Sequence, residues 1–286
     1  MKYKHIMLVF GVSAAISVYL RLKEQLTTIN ERGFVIRSLT ADNFFLLLGI
    51  IGLFAASIVA ACLTRRCPVK APKVKPALGT VSLVLGGWLV YDSVTISSPV
   101  SIPAWQTIIL MLLGVLSGVL FIVYGATAFM QFEFPKAVFI LPVFYWMIRL
   151  IWVFTALNTL ALTIEHILLL LNCSAILIFM LQYAKLLNSL DRDKNFKRIQ
   201  ITGFASVLLC ADYALPNLIL MAMGNRSFVG NGVSSEVTIL LTSVFILFFL
   251  FAFFDEKNLK RRSKSRRRVV SHPGTGKDSF YIGGSR

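Results

Sequence analysis

Charged residues are scarce in this chain of 286 residues: they make up 15% of the sequence, against 57% hydrophobic residues. A soluble globular domain has roughly 25% charged and about 45–50% apolar residues. The scarcity is strongest for acids, since 13 acidic residues accompany 29 basic ones and the formal net charge is +16. The basic residues lie between long apolar runs and not in a basic domain interleaved with aromatics, so we expect no binding to nucleic acid.

Residues that carry metal or hydrolytic chemistry are also few. The chain has four cysteines and three histidines, and it contains no C-x-x-C, no H-E-x-x-H and no G-x-S-x-G motif. The segment 273–277 resembles half of a phosphate-binding loop, but Ser271 and Asp278 stand where that motif needs glycine and Ser or Thr. We therefore predict no metal site, no cofactor and no catalytic residue, and regard an enzyme acting on lipids as a third choice of function.

Eight apolar runs are long enough to cross a bilayer, since a membrane-spanning helix needs about 20 mostly apolar residues. The predicted spans cover residues 5–20, 44–63, 77–94, 105–130, 137–157, 162–187, 201–223 and 237–254. The sequence thus predicts an all-α, polytopic transmembrane helix bundle over residues 1–254 and a basic, disordered tail over 255–286. The alternative for the first run is a signal peptide cleaved after residues 13–15, which would leave seven spans.

The distribution of lysine and arginine predicts the orientation of the spans. The loops after the second and sixth spans and the tail after the eighth are rich in basic residues, whereas the loops on the other side carry few. Basic loops favour the cytoplasmic side, so eight spans place both termini in the cytoplasm of a multi-pass plasma-membrane protein. The tail is predicted to contact anionic lipid headgroups. The residues concerned are Arg261, Arg262, Lys264, Arg266, Arg267 and Arg268.

Two charged residues stand near the centres of predicted spans, Arg149 in the fifth and Asp212 in the seventh. A charge at that depth costs roughly 2.5–3.5 kcal/mol on insertion scales, and such residues usually pair inside the bundle. We therefore predict that Arg149 and Asp212 meet, with Asn172 of the sixth span as a neighbour. Pro216 follows Asp212 by one turn and cannot donate to its carbonyl, which favours an ion or water site there. The alternative is a pair that only fixes helix register.

Glycines in the third and fourth spans predict close helix packing. Gly114 and Gly118 form a G-x-x-x-G pair, and Gly79, Gly86 and Gly87 lie on the preceding span. Small residues let two helices approach closely inside a membrane. We predict that these glycines pack helices within one chain, with dimerisation as the alternative.

Part of the sequence resembles uncharacterised polytopic membrane proteins of bacteria. The resemblance is carried by Pro142, Trp146, Arg149 and Leu150, by the run Gln182-Tyr183-Ala184-Lys185-Leu186, and by Pro216. This resemblance implies no activity. From the residues themselves, the leading hypothesis is binding or transport of a small polar solute. The alternative is a membrane scaffold or sensor that acts through its basic cytoplasmic face.

Overall fold

A computed structural model describes residues 3–27, 75–96, 103–130, 135–157, 164–188, 192–223 and 233–253. These residues form seven α-helices and no strand. The helices are α1 (Tyr3–Thr27), α2 (Pro76–Thr95), α3 (Ala104–Ala126), α4 (Ile140–Leu157), α5 (Ile164–Leu187), α6 (Arg192–Ala222) and α7 (Val233–Phe253), and a 3-10 turn, Lys136–Phe139, leads into α4. The second predicted span (44–63) and the tail (255–286), including the expected lipid contacts at 261–268, lie outside the described residues.

Six of these helices, α2 to α7, are long and apolar enough to cross a membrane. The predicted all-α class is therefore confirmed for the described part of the chain, and the six apolar helices are consistent with a multi-pass membrane bundle. The helices extend beyond the predicted spans, since α6 begins at Arg192 and α1 continues to Thr27. Hydropathy marks only the apolar part of a helix, whereas the backbone hydrogen bonding continues into polar sequence.

Helix α1 has its polar side chains inside the bundle and its apolar side chains outside. The buried polar residues recur every fourth position, and they are Ser13, Ser17, Arg21 and Gln25. The exposed face carries large hydrophobic residues, among them Leu8, Val12, Ile16 and Tyr19. A helix on the surface of a soluble protein has the opposite arrangement. The outward face of α1 is suited to contact with lipid, and its inward face must find polar partners.

Helices α2 to α7 alternate in direction. Ser82 in the first half of α2 donates a hydrogen bond to the carbonyl of Phe121 near the end of α3 (2.8 Å), and Ser93 near the end of α2 packs against Gly114 in the middle of α3. The links from α4 to α5 and from α5 to α6 are too short to join parallel neighbours. Helix α7 also packs against α2, so the bundle closes on itself.

Helix α1 runs parallel to α6. Three contacts follow one another in the same order along both helices: Phe10 with Phe204, Ser17 with Asp212, and Gln25 with Asn217. Because the alternation from α2 to α7 makes α2 parallel to α6 as well, α1 and α2 point in the same direction. The bundle therefore has one end at which α1, α2, α4 and α6 finish and α3, α5 and α7 begin.

The interface between α2 and α3 depends on glycine. A Cβ atom at Gly86 would lie 2.6 Å from the carbonyl oxygen of Gly118, and one at Gly118 would lie 2.7 Å from that of Gly86. Gly79 and Gly125 meet in the same way further along. The predicted packing within one chain is confirmed at these positions, but Gly87 has nothing within 4 Å of its Cβ position.

Replacing Gly86 with alanine is therefore expected to lower the free energy of unfolding by about 1–3 kcal/mol, the usual effect of overpacking. The added methyl group would meet backbone atoms of Gly118 and Ile122, which move only with the whole helix. The measurement is the unfolding temperature of the purified protein in detergent. Gly87→Ala is the matched control, since it adds the same methyl group to open space. Equal effects at the two positions would contradict this packing.

Buried charges and buried aromatic rings separate along the bundle axis. All five charged side chains that the structure shows as buried lie in the half of their helix nearer the end at which α1 finishes: Arg21, Asp92, Arg149, Asp212 and Glu236. The opposite half holds a cluster of aromatic rings: Phe121, Tyr124, Phe139, Phe179, Tyr183, Phe245 and Phe249. We call these halves the charged end and the aromatic end.

Candidate functional site

Arg149 of α4 lies where α4 meets α2 and α7. Its Nη1 is 3.0 Å from Oδ2 of Asp92, and its Nη2 donates to the hydroxyl of Ser235 at 2.8 Å. It also donates to the hydroxyl of Tyr145, and its guanidinium carbon lies 5.3 Å from the ring centre of Trp146. The side chains of Arg149 and Asp92 are only 4% and 5% exposed. This is a buried ion pair with hydrogen bonds on both partners, the arrangement that such a pair needs.

The carboxylate of Asp92 is held on both oxygens. Oδ1 accepts a hydrogen bond from Ser234, and Oδ2 accepts from Thr238 at 2.8 Å in addition to Arg149. Ser234 and Thr238 belong to the first two turns of α7, whose N-terminus favours a nearby anion. The Arg149–Asp92 pair is thus neutral and supplied with partners, and it ties three helices together at the charged end.

The structure pairs Arg149 with Asp92 instead of Asp212, the partner predicted from the sequence. Asp92 lies in the last turn of α2, a place that suggests a solvated carboxylate. The spacing of Asp92 along the helix indicates instead that it is buried. It continues the buried row of Leu78, Leu85 and Leu89 at intervals of three, four or seven residues. A carboxylate on a buried row of a predicted span should have been paired with the buried arginine.

Asp212 lies at the contact between α6 and α1. Its Oδ2 accepts a hydrogen bond from Ser17 at 2.7 Å, and no described residue donates to its Oδ1, although the side chain is 6% exposed. Arg21, one turn further along α1, adds a nearby positive charge. Pro216 lies inside α6 and cannot donate to the carbonyl of Asp212. Asp212 therefore has one carboxylate oxygen without a donor among the described residues and a main-chain carbonyl without its usual helical donor.

Further polar residues extend this contact along both helices. Gln25 donates from Nε2 to Oδ1 of Asn217 at 2.8 Å. We call the whole set the polar seam, and it comprises Ser13, Ser17, Arg21 and Gln25 of α1 with Asp212 and Asn217 of α6. All of these side chains are buried. The sequence interpretation placed Arg21 beyond the end of the first span, and the four-residue spacing of the polar positions on α1 was the missed signal.

Asn172 is the third residue of the predicted site. It is fully buried on α5, its Nδ2 donates to the carbonyl of Leu168 at 3.0 Å, and no described residue donates to its Oδ1. Its hydrogen bond within the described part of the chain stays on its own helix. The structure therefore does not join Asn172 by hydrogen bonds to Arg149 or to Asp212.

Comparison with known proteins gives no further guide. No family model, no curated protein and no solved structure matches this chain. Among the described residues, no three His, Cys, Asp or Glu side chains lie close enough together to hold a metal ion. The function is therefore argued from the buried polar residues and from the direction of the helices.

Proposed function

We propose that this chain is an eight-span protein of the plasma membrane that binds or transports a small polar solute at the polar seam. The observation that carries the proposal is the carboxylate of Asp212, buried between two helices with one oxygen that no described residue hydrogen-bonds. Burying such a group costs free energy unless a partner compensates it. A ligand would be that partner. A scaffold that carries no cargo has no need of this carboxylate.

The parallel arrangement of α1 and α2 supports the number of spans. Two helices that point the same way across a membrane require the intervening chain, residues 28–75, to return through the bilayer. The apolar run 44–63 has the length for this crossing. With α1 as the first crossing and the six apolar helices α2 to α7, the chain would cross eight times, and both termini would lie on one side.

The basic loops support the cytoplasm as that side. Helix α1 then starts in the cytoplasm, so the charged end faces the outside and the aromatic end faces inward. A solute would reach the polar seam from the outside, since polar side chains favour the entry of water there. In this topology the tail lies in the cytoplasm, where its arginines and lysines would meet anionic lipid headgroups.

Solute binding is tested by the thermal stability of the purified full-length protein in detergent. The test adds amino acids, amines, sugars, nucleosides and carboxylic acids one at a time. A ligand present at about 100 times its Kd would stabilise the protein by about 2.7 kcal/mol. We expect at least one solute to raise the unfolding temperature. Asp212→Asn should remove that rise.

Ser206→Ala is the matched control for Asp212→Asn. Ser206 is a buried polar residue of the same helix, but it donates to the carbonyl of Ala175 on α5 and so faces away from α1. The rise should persist in this variant. A panel without any stabilising solute, or a rise that survives unchanged in Asp212→Asn, would contradict the proposal.

A further inference from the structure

The carboxylate of Asp92 is held by residues of two other helices. Arg149 of α4 and Thr238 of α7 donate to Oδ2, at 3.0 and 2.8 Å, and Ser234 of α7 donates to Oδ1. Ser235 lies against the same guanidinium and accepts from Nη2 of Arg149 at 2.8 Å. We call Arg149, Ser234, Ser235 and Thr238 the carboxylate seat. Its donors belong to α4 and α7 and its occupant to α2, so the seat is built without the helix that fills it.

The carboxylate seat has donors that Asp92 does not use. Arg149 donates three hydrogen bonds to described residues, whereas a guanidinium has five N–H groups. Ser235 accepts from Nη2, and no described residue accepts the proton of its hydroxyl. The guanidinium and the Ser235 hydroxyl therefore retain donors for a further acceptor beside the bound carboxylate.

The seat lies close to the charged end of the bundle. Asp92 is in the last turn of α2, and Ser234 and Ser235 are in the first turn of α7. Both serines are half-buried, whereas the side chains of Arg149 and Asp92 are buried. An anion that approaches from this end would meet the two serines first and the guanidinium behind them.

We propose that the carboxylate seat binds a small carboxylate from solution, and that Asp92 is its internal competitor. Exchange of one carboxylate for another keeps the charge of Arg149 compensated, as a buried guanidinium requires. A guanidinium binds planar carboxylates through two parallel N–H groups, which favours them over a spherical anion. This second site contains no residue of the polar seam, so the inference does not rest on the proposed function.

The test is the unfolding temperature of the purified full-length protein in detergent during titration with sodium formate. Sodium chloride at equal concentration is the reference, because it supplies the same cation with an anion that has no carboxylate plane. We expect a saturable rise above the reference. Asp92→Ala removes the competitor, so its half-saturating formate concentration should be about 2- to 150-fold lower, the range that usual couplings between contacting groups correspond to.

Further variants test which groups bind formate, and they also serve if Asp92→Ala does not fold. Ser235→Ala keeps the Arg149–Asp92 pair and removes one donor, so it should raise the half-saturating concentration about two- to tenfold. Ser206→Ala is the matched control, since its hydroxyl donates to the carbonyl of Ala175 on α5, and it should leave the formate response unchanged. The double variant Arg149→Gln, Asp92→Ala has no guanidinium in the seat and should lose the saturable rise.

Three results would overturn the inference. The first is a rise in Asp92→Ala without one in the unchanged protein, which would make Asp92 a permanent part of the structure. The second is an equal saturable rise with formate and with chloride. The third is a formate rise that is the same in Ser235→Ala and in the double variant as in the unchanged protein.

The two proposed sites can fail separately. A formate rise that persists in Asp212→Asn and weakens in Ser235→Ala belongs to the carboxylate seat, and the polar seam is then judged by the other solutes of the panel. If none of those acts through Asp212, the proposed function falls and the carboxylate seat stands. If one of them does so and formate has no effect beyond that of chloride, the seat falls and the proposed function stands.

Discussion

Arg149→Gln is expected to destabilise the protein by about 3–5 kcal/mol, because it leaves a buried carboxylate without its counter-ion. Asp92 would keep the hydroxyls of Ser234 and Thr238, but these donors carry no charge. The reverse change, Asp92→Asn, leaves the guanidinium of Arg149 buried and should be of similar size. The double variant removes both charges and should be more stable than the sum of the two single effects predicts.

The measurement is a double-mutant cycle on the unfolding free energy in detergent. Groups in direct contact usually show coupling energies of about 0.5–3 kcal/mol, and independent sites add within about 0.5 kcal/mol. We expect coupling for Arg149 with Asp92. The control is the same cycle for Arg149 with Asp212, where we expect additivity. Coupling with Asp212 and none with Asp92 would restore the pairing predicted from the sequence.

The sequence could predict that Arg149 is buried and paired, but not with which residue it pairs. A cation in a long apolar run must face the bundle interior, and this follows from the cost of placing it in lipid. The partner depends on which helices are neighbours and on the depth at which each begins. Asp92 reaches Arg149 because α2 packs against α7 at the charged end, and the long side chain of Arg149 extends from α4 to both of these helices. That arrangement is a property of the whole bundle.

The polar seam shows a second limit of hydropathy. The apolar residues of the first span predict a helix in lipid, and the structure extends that helix as α1 through Arg21 and Gln25. Hydropathy assigns a residue either to lipid or to water. Arg21 and Gln25 are in neither, because their side chains are buried where α1 packs against α6. The four-residue spacing on α1 was available in the sequence. Its partners on α6, Asp212 and Asn217, were not, since α1 and α6 are far apart in the chain.

The aromatic end could not be predicted as a cluster, because its rings come from α3, α5, α7 and the 3-10 turn before α4. Single aromatic residues in spans are ordinary and carry no sign of where they meet. Tyr183 lies at the centre, fully buried, with Phe249 at 4.8 Å, Phe139 at 5.2 Å and Phe245 at 5.9 Å between ring centres. Its hydroxyl donates to that of Tyr124 at 2.7 Å. The cluster fills the half of the bundle opposite the buried charges.

Tyr183→Ala is accordingly expected to cost about 3–5 kcal/mol, the usual effect of removing a buried aromatic ring. Five surrounding rings would lose contact area, and the helices that carry them cannot close the cavity without moving together. The lost contacts should lower the stability of the bundle directly, because van der Waals packing is a main force that holds membrane helices together. The measurement is again the unfolding temperature in detergent.

Two further variants separate packing from hydrogen bonding. Tyr183→Phe keeps the ring and loses the bond to Tyr124, so we expect a loss of only about 1 kcal/mol. Tyr19→Ala removes the same side chain from the outward face of α1, where it is 64% exposed, and should change the unfolding temperature little. If Tyr183→Phe were as damaging as Tyr183→Ala, the hydrogen bond between the two tyrosine hydroxyls and not the aromatic packing would hold this end of the bundle together.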